Sequence, residues 1–67
     1  MARATLASLS ERQLQVAHLV AQGLTNREIA QTLVVSEKTV EAHLSAVFVK
    51  LGVSSRAKVT QALADEE

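Results

Sequence analysis

Two helix starts stand so close together in this chain that they decide most of what it can fold into. Leu24-Thr25-Asn26-Arg27-Glu28-Ile29 has a hydrophobe, a hydroxyl cap, an acid three residues on and a second hydrophobe. That is a capping box inside a hydrophobic staple, the signature of a helix N-terminus. Val35-Ser36-Glu37-Lys38-Thr39-Val40 repeats it with a weaker third residue. The helix begun at the first box can be no longer than about two turns before the second begins. Only Val34 and Val35 separate its end from the Ser36 cap. Helices joined by so short a turn do not fold back antiparallel; they cross steeply, as in a helix-turn-helix.

The same punctuation continues along the chain. Leu9-Ser10-Glu11-Arg12-Gln13-Leu14 is a third boxed start, and Ser54 or Ser55 opens a fourth helix. Gly23 and Gly52 stand where helices end in a left-handed residue. The expected elements are helices at roughly 10–22, 26–33, 37–51 and 55–64. The fold class is therefore all-α, a single four-helix domain over residues 1–67, with an N-terminal arm at 1–8 and an acidic tail at 65–67. Phe48 is the one aromatic residue, so the core must be built from Leu, Val, Ile and Ala.

Several function classes drop out. Without cysteine there is neither a disulfide nor a thiolate metal site. His18 and His43 lie on separate helices without ligand spacing, so no metal and no cofactor is expected. No nucleophile, base and orienting group can be assembled, and so small a chain offers no deep pocket; an enzyme is not expected. No apolar run approaches the ~20 residues of a membrane span, and no secretory leader is visible. A cytoplasmic protein without membrane contact is the expectation.

Helix three carries the functional signal. At about 100° per residue, Val40, Leu44, Val47 and Leu51 form a core stripe with Phe48 at its edge. Opposite them lie Lys38, Glu41, Ala42, Ser45 and Val49. Near its N-terminus this outer face is small and polar, as a helix entering a DNA major groove requires. The formal net charge is zero, which is unusual for a nucleic-acid binder. Three of the seven acids are the terminal Asp65, Glu66 and Glu67, however, so residues 1–64 carry seven bases against four acids.

With these features in place, the sequence closely resembles the LuxR-type (GerE-like) DNA-binding domain of bacterial response and quorum-sensing regulators. The matching runs are Leu9-Ser10-Glu11-Arg12, the stretch from Leu19 to Ala30, the stretch from Ser36 to Leu44, and Lys50-Leu51-Gly52-Val53-Ser54-Ser55-Arg56. The resemblance implies sequence-specific duplex DNA binding by a transcriptional regulator, with helices two and three as the binding unit. It also implies a homodimer through the last helix, and an upstream sensory or receiver domain on the full regulator. In three places the chain departs from the pattern. Glu41 stands where similar proteins often carry a base, Ala46 and Val49 where they are often polar or basic, and Gln13 where a Glu is usual.

The expected DNA contacts follow. Thr25, Asn26 and Arg27 open helix two, whose free N–H groups and positive dipole end suit a phosphate. Ser36 caps helix three. Lys38 sits in its first turn, where the dipole disfavours a cation by ~0.3–1 kcal/mol, so a contact with a base edge or phosphate would explain it. Thr39 meets a phosphate or bonds locally to the backbone. Glu41 either accepts from a cytosine amino group, repels unwanted sites, or pairs with Lys38 along the helix. Ala42 allows close approach or meets a thymine methyl, and Ser45 completes the base-facing set. Lys50 and Arg56 are expected on phosphates, setting register without reading sequence. Part of the apolar set of helix four must close the core over helix one, and Val59, Ala62 and Leu63 are expected also to leave a narrow strip for a dimer partner, weakly associated when free. Two alternatives stand beside this reading. One is a protein-interaction or dimerisation module of the same fold that has lost DNA contact; the other is region four of a sigma factor, which the run after helix three fits less well.

Overall fold

The computed structural model of the chain describes residues 8–66. Four helices follow in order: α1 (Glu11–Ala21), α2 (Asn26–Leu33), α3 (Glu37–Leu51) and α4 (Arg56–Glu66). The all-α, four-helix expectation holds. Helices two and three match to the residue, and helix one is shorter by its two cap residues, Ser10 and Gln22. Of the two candidate serines, Ser55 opens α4, its Oγ accepting the Lys58 N–H at 3.3 Å. α4 runs two residues further than expected, taking in Asp65 and Glu66 from the anticipated tail.

The caps are built as the sequence spells them. In α1 the Gln13 N–H donates to Ser10 Oγ at 3.2 Å, and Gln13 Oε1 accepts the Ser10 N–H at 3.0 Å. In α2 the Glu28 N–H donates to Thr25 Oγ1 at 3.1 Å, and Glu28 Oε1 accepts the Thr25 N–H at 2.8 Å. In α3 the box is replaced by a hydroxyl pair. Ser36 Oγ accepts the Thr39 N–H at 3.0 Å and lies 2.9 Å from Thr39 Oγ1. Each staple closes as well. Leu9 with Leu14, Leu24 with Ile29, and Val35 with Val40 all join the core or pack on it.

Three helices end in the same manner. A residue with positive φ turns the chain, and the next N–H bonds back five residues: Leu24 to Leu19 C=O at 3.2 Å, Val35 to Ala30 C=O at 3.0 Å, Val53 to Phe48 C=O at 3.0 Å. The turning residues are Gly23 (φ 91°), Val34 (φ 59°) and Gly52 (φ 68°). Val34 is the exception, because a β-branched residue in this region clashes with its own backbone.

The largest fully buried side chains are Val16, Ile29, Val40, Val47 and Val59, at least one from each helix. Leu9, Ala17, Val20, Ala30, Leu44 and Leu63 complete the core, and no polar or charged residue is buried among the described residues. α1 packs most broadly on α4 and then on α3, while α2 leans on α3. α1 and α4 thus form a platform that holds α3 by its inner stripe, leaving the outer stripe uncovered.

Replacing Val34 tests the turn. The left-handed conformation costs a non-glycine residue ~1–2 kcal/mol, while glycine brings an unfolded-state entropy cost of ~0.5–1 kcal/mol. Val34 is 89% exposed, so little packing is lost. Val34→Gly is expected to gain up to about 1 kcal/mol, raising Tm by roughly 4–8 °C per kcal/mol gained in a domain this small. A melt showing no change or a lower Tm would mean that the valine is unstrained there.

Candidate nucleic-acid interface

Every base-facing residue expected from the sequence lies on one side of α3. Lys38, Glu41, Ala42 and Ser45 are exposed, and Val49 continues the face at 80% exposure. Val40, Leu44 and Val47 are buried behind them. Thr39, His43 and Ala46 occupy one flank and Phe48 the other, all half-buried. The apolar Ala46 is accounted for by this partial burial, whereas nothing in the structure explains the exposed Val49.

Charge on this face is unpaired among the described residues. Among the described residues neither Lys38 nor Glu41 has an ion-pair partner, so the Lys38–Glu41 pair that helical spacing allows does not form. Both groups remain available to a ligand. Thr39 bonds locally, through its hydroxyl to that of Ser36 at 2.9 Å rather than to a carbonyl.

The end of α2 and the start of α3 enclose an open groove lined by Arg27, Ala30, Gln31, Val34, Val35, Ser36 and Glu37. Arg27 is exposed at its rim. The Thr25 hydroxyl is engaged by the Glu28 N–H, which leaves it a hydroxyl proton to donate.

Asn26 and Arg56 are placed differently from the expectation that each reaches for DNA. They hold one another. Arg56 Nη1 donates to Asn26 Oδ1 at 2.7 Å, and Nη2 donates to the Leu24 carbonyl at 2.6 Å, both half-buried. The first residue of α4 therefore ties down the turn that leads into α2, across 30 residues of sequence. This clasp was not read from the sequence, although a signal existed. A cation at the first position of a helix opposes the macrodipole and needs nearby oxygens to offset it.

The dimer strip needs a correction. Val59 is fully buried and Leu63 nearly so, both inside the chain's own core, and Ala62 is half-buried. They close α4 over α1 because aliphatic side chains at this spacing are drawn to the nearest apolar surface, which is α1 of the same chain. The exposed side of α4 is Ala57, Lys58, Thr60, Gln61, Ala64 and Asp65.

Comparison with known proteins decides the family. Residues 7–63 match the model for "Bacterial regulatory proteins, luxR family". The chain belongs to the luxR family. Similar curated proteins include the oxygen regulatory protein NreC of Staphylococcus aureus strains JH9, JH1 and Mu3, each 45% identical over 53 residues. The aligned segment covers 79% of this chain but 24% of each relative, so the chain spans about a quarter of their length. As a luxR-family domain it is a DNA-binding module of bacterial transcription regulators, and the family is not one of enzymes. No described helix is long and apolar enough to cross a membrane.

The Arg56 clasp in this luxR-family domain has a measurable weight. Hydrogen bonds from a charged donor contribute ~1.5–3 kcal/mol. Arg56→Ala is expected to cost about 2 kcal/mol in denaturant unfolding. Arg56→Lys should recover only part of that, since an ammonium lacks the fork that reaches both oxygens. An Arg56→Ala melt that superimposes on the parent's would show the clasp to be dispensable.

Proposed function

We propose that this luxR-family domain binds duplex DNA by laying the N-terminal half of α3 in the major groove. The observation that supports this most is the continuous exposed face of Lys38, Glu41, Ala42 and Ser45, backed by the buried stripe of Val40, Leu44 and Val47. Side chains this small let the helix backbone approach the base edges, and Lys38 and Glu41 offer donor and acceptor chemistry there. Arg27 and Ser36 line the groove at the α2–α3 junction, and with the Thr25 and Thr39 hydroxyls they would meet the phosphates that set register. Lys50 adds a phosphate contact beyond the groove. Asn26 and Arg56 act on DNA indirectly, by fixing the start of α2.

Dimerisation through α4 belongs to the same proposal, with the partner face now the exposed one. It is small and mixed, which fits weak association in solution strengthened by adjacent half-sites on DNA. Relatives four times as long leave room for a sensory or receiver domain that controls this module. The compartment would be the cytoplasm, where a bacterial chromosome lies. The module acts by binding, without a cofactor.

A salt-titrated binding assay on random duplex DNA tests the reading with Lys38→Ala and Glu41→Lys. The parent should bind, with log affinity falling linearly against log salt. Lys38→Ala should weaken it and reduce the slope by about 0.9, one phosphate equivalent. Glu41→Lys should bind random DNA roughly tenfold or more tightly, as a repelled carboxylate becomes an attracted base. If only Glu41→Lys binds, the domain has left DNA. Its exposed Val34 and Val49 would then belong to a protein contact.

A further inference from the structure

Lys50 closes the last turn of α3 and makes a contact that reaches across the fold. Its Nζ donates to Gln13 Oε1 at 2.8 Å, between residues 37 apart in sequence. The same Oε1 accepts the Ser10 N–H at 3.0 Å, the returning half of the α1 capping box. Gln13 is half-buried and its own N–H is held by Ser10 Oγ. The side-chain oxygen is therefore held by one bond, and the backbone beneath it by another, before it meets Lys50. It offers a stationary oxygen and no charge.

The chemistry of that choice matters. An ammonium has three N–H donors, so one bond to Gln13 leaves two for another acceptor and the full positive charge intact. A carboxylate at position 13 would accept the same two bonds and serve the capping box better. It would also cancel most of the Lys50 charge at contact distance. Position along α3 gives the charge a use. At 1.5 Å per residue, Lys50 lies about 18 Å along the axis from Lys38, farther than the ~12 Å width of a major groove. If α3 enters the groove with its N-terminus leading, Lys50 would lie beyond the edge, level with the phosphates.

We infer that Gln13 is a positioning residue for DNA binding: it holds the Lys50 ammonium toward a backbone phosphate without neutralising it. This role rests on the reading of α3 as the helix that enters the groove. Arg56 shows the same pattern, since both of its acceptors, Asn26 Oδ1 and the Leu24 carbonyl, are uncharged. That arginine is engaged on two sides, however, whereas Lys50 keeps donors free.

The test uses the 67-residue chain and three variants, Gln13→Glu, Lys50→Gln and the double variant, bound to a random duplex across a salt series. Melts of all four set a temperature at which each is folded. Lys50→Gln should lower the salt slope by about 0.9 and weaken binding roughly five- to tenfold at 0.1 M salt. Gln13→Glu should produce most of that loss while melting no lower than the parent. The double variant should bind no more weakly than Lys50→Gln alone. A Gln13→Glu chain with the parent's slope would overturn the role, because the charge of the partner would then be irrelevant. An equal further loss in the Lys50→Gln background would overturn it too, placing the carboxylate's effect directly on DNA. A parent that binds DNA at no salt concentration is a separate result, which removes the groove reading of α3 and this role with it.

Discussion

The left-handed turn at Val34 is the constraint on which the rest of this domain depends. By taking a positive φ there, the chain stops α2 and returns the Val35 N–H to the Ala30 carbonyl. Val35 then packs on the core beside Val40, and Ser36 caps α3 from the next position. Three events that fix the angle between α2 and α3 therefore occur within three residues. A longer or looser turn would let α3 roll about its axis, and a roll of one residue, about 100°, would carry Val40 or Val47 outward. The orientation of the exposed face is a consequence of this junction. A strained residue at such a point is consistent with a turn held by packing on both sides rather than by its own preference.

A zero net charge still leaves usable cations on the surface, because those that are held are held by uncharged oxygens. Lys50 meets an amide, and Arg56 meets an amide and a carbonyl. Such partners give orientation while leaving the field of the cation unscreened by a counter-charge. In a protein with few bases this arrangement keeps each one effective. The carboxylates are placed differently. Glu28 is committed to a capping box, and Asp65 lies near the end of α4, in a helix with no part in the groove at the α2–α3 junction. Glu41 stands exposed in the middle of the outer face of α3, and Glu37 lines the groove beside it.

Burial inside the monomer redraws what α4 offers to a second copy. Its apolar residues at helical spacing satisfy the chain's own core, and the residues left outside are alanines, a lysine, an aspartate and polar side chains. A surface of that kind gains little from the hydrophobic effect alone. Pairing through this face, as proposed, would rest on geometry rather than on apolar burial.

The sequence by itself determined the helices, because each one is started and stopped by local chemistry. Hydroxyl caps, N3 acceptors and staples are interactions within six residues, so Ser10, Thr25 and Ser36 could be read directly and their bonds formed as written. The two stripes of α3 were legible for the same reason, since 3.6-residue periodicity separates Val40, Leu44 and Val47 from Lys38, Glu41 and Ser45 before any partner is known. What only the tertiary structure decided is which helix each remaining face meets. The clasp from Arg56 to Asn26 and Leu24 and the bridge from Lys50 to Gln13 join residues 30 to 37 apart. Whether Val59 and Leu63 face a partner or the core depended on where α1 lay. Contacts of that range depend on the relative placement of rigid helices, which packing fixes and local sequence does not encode.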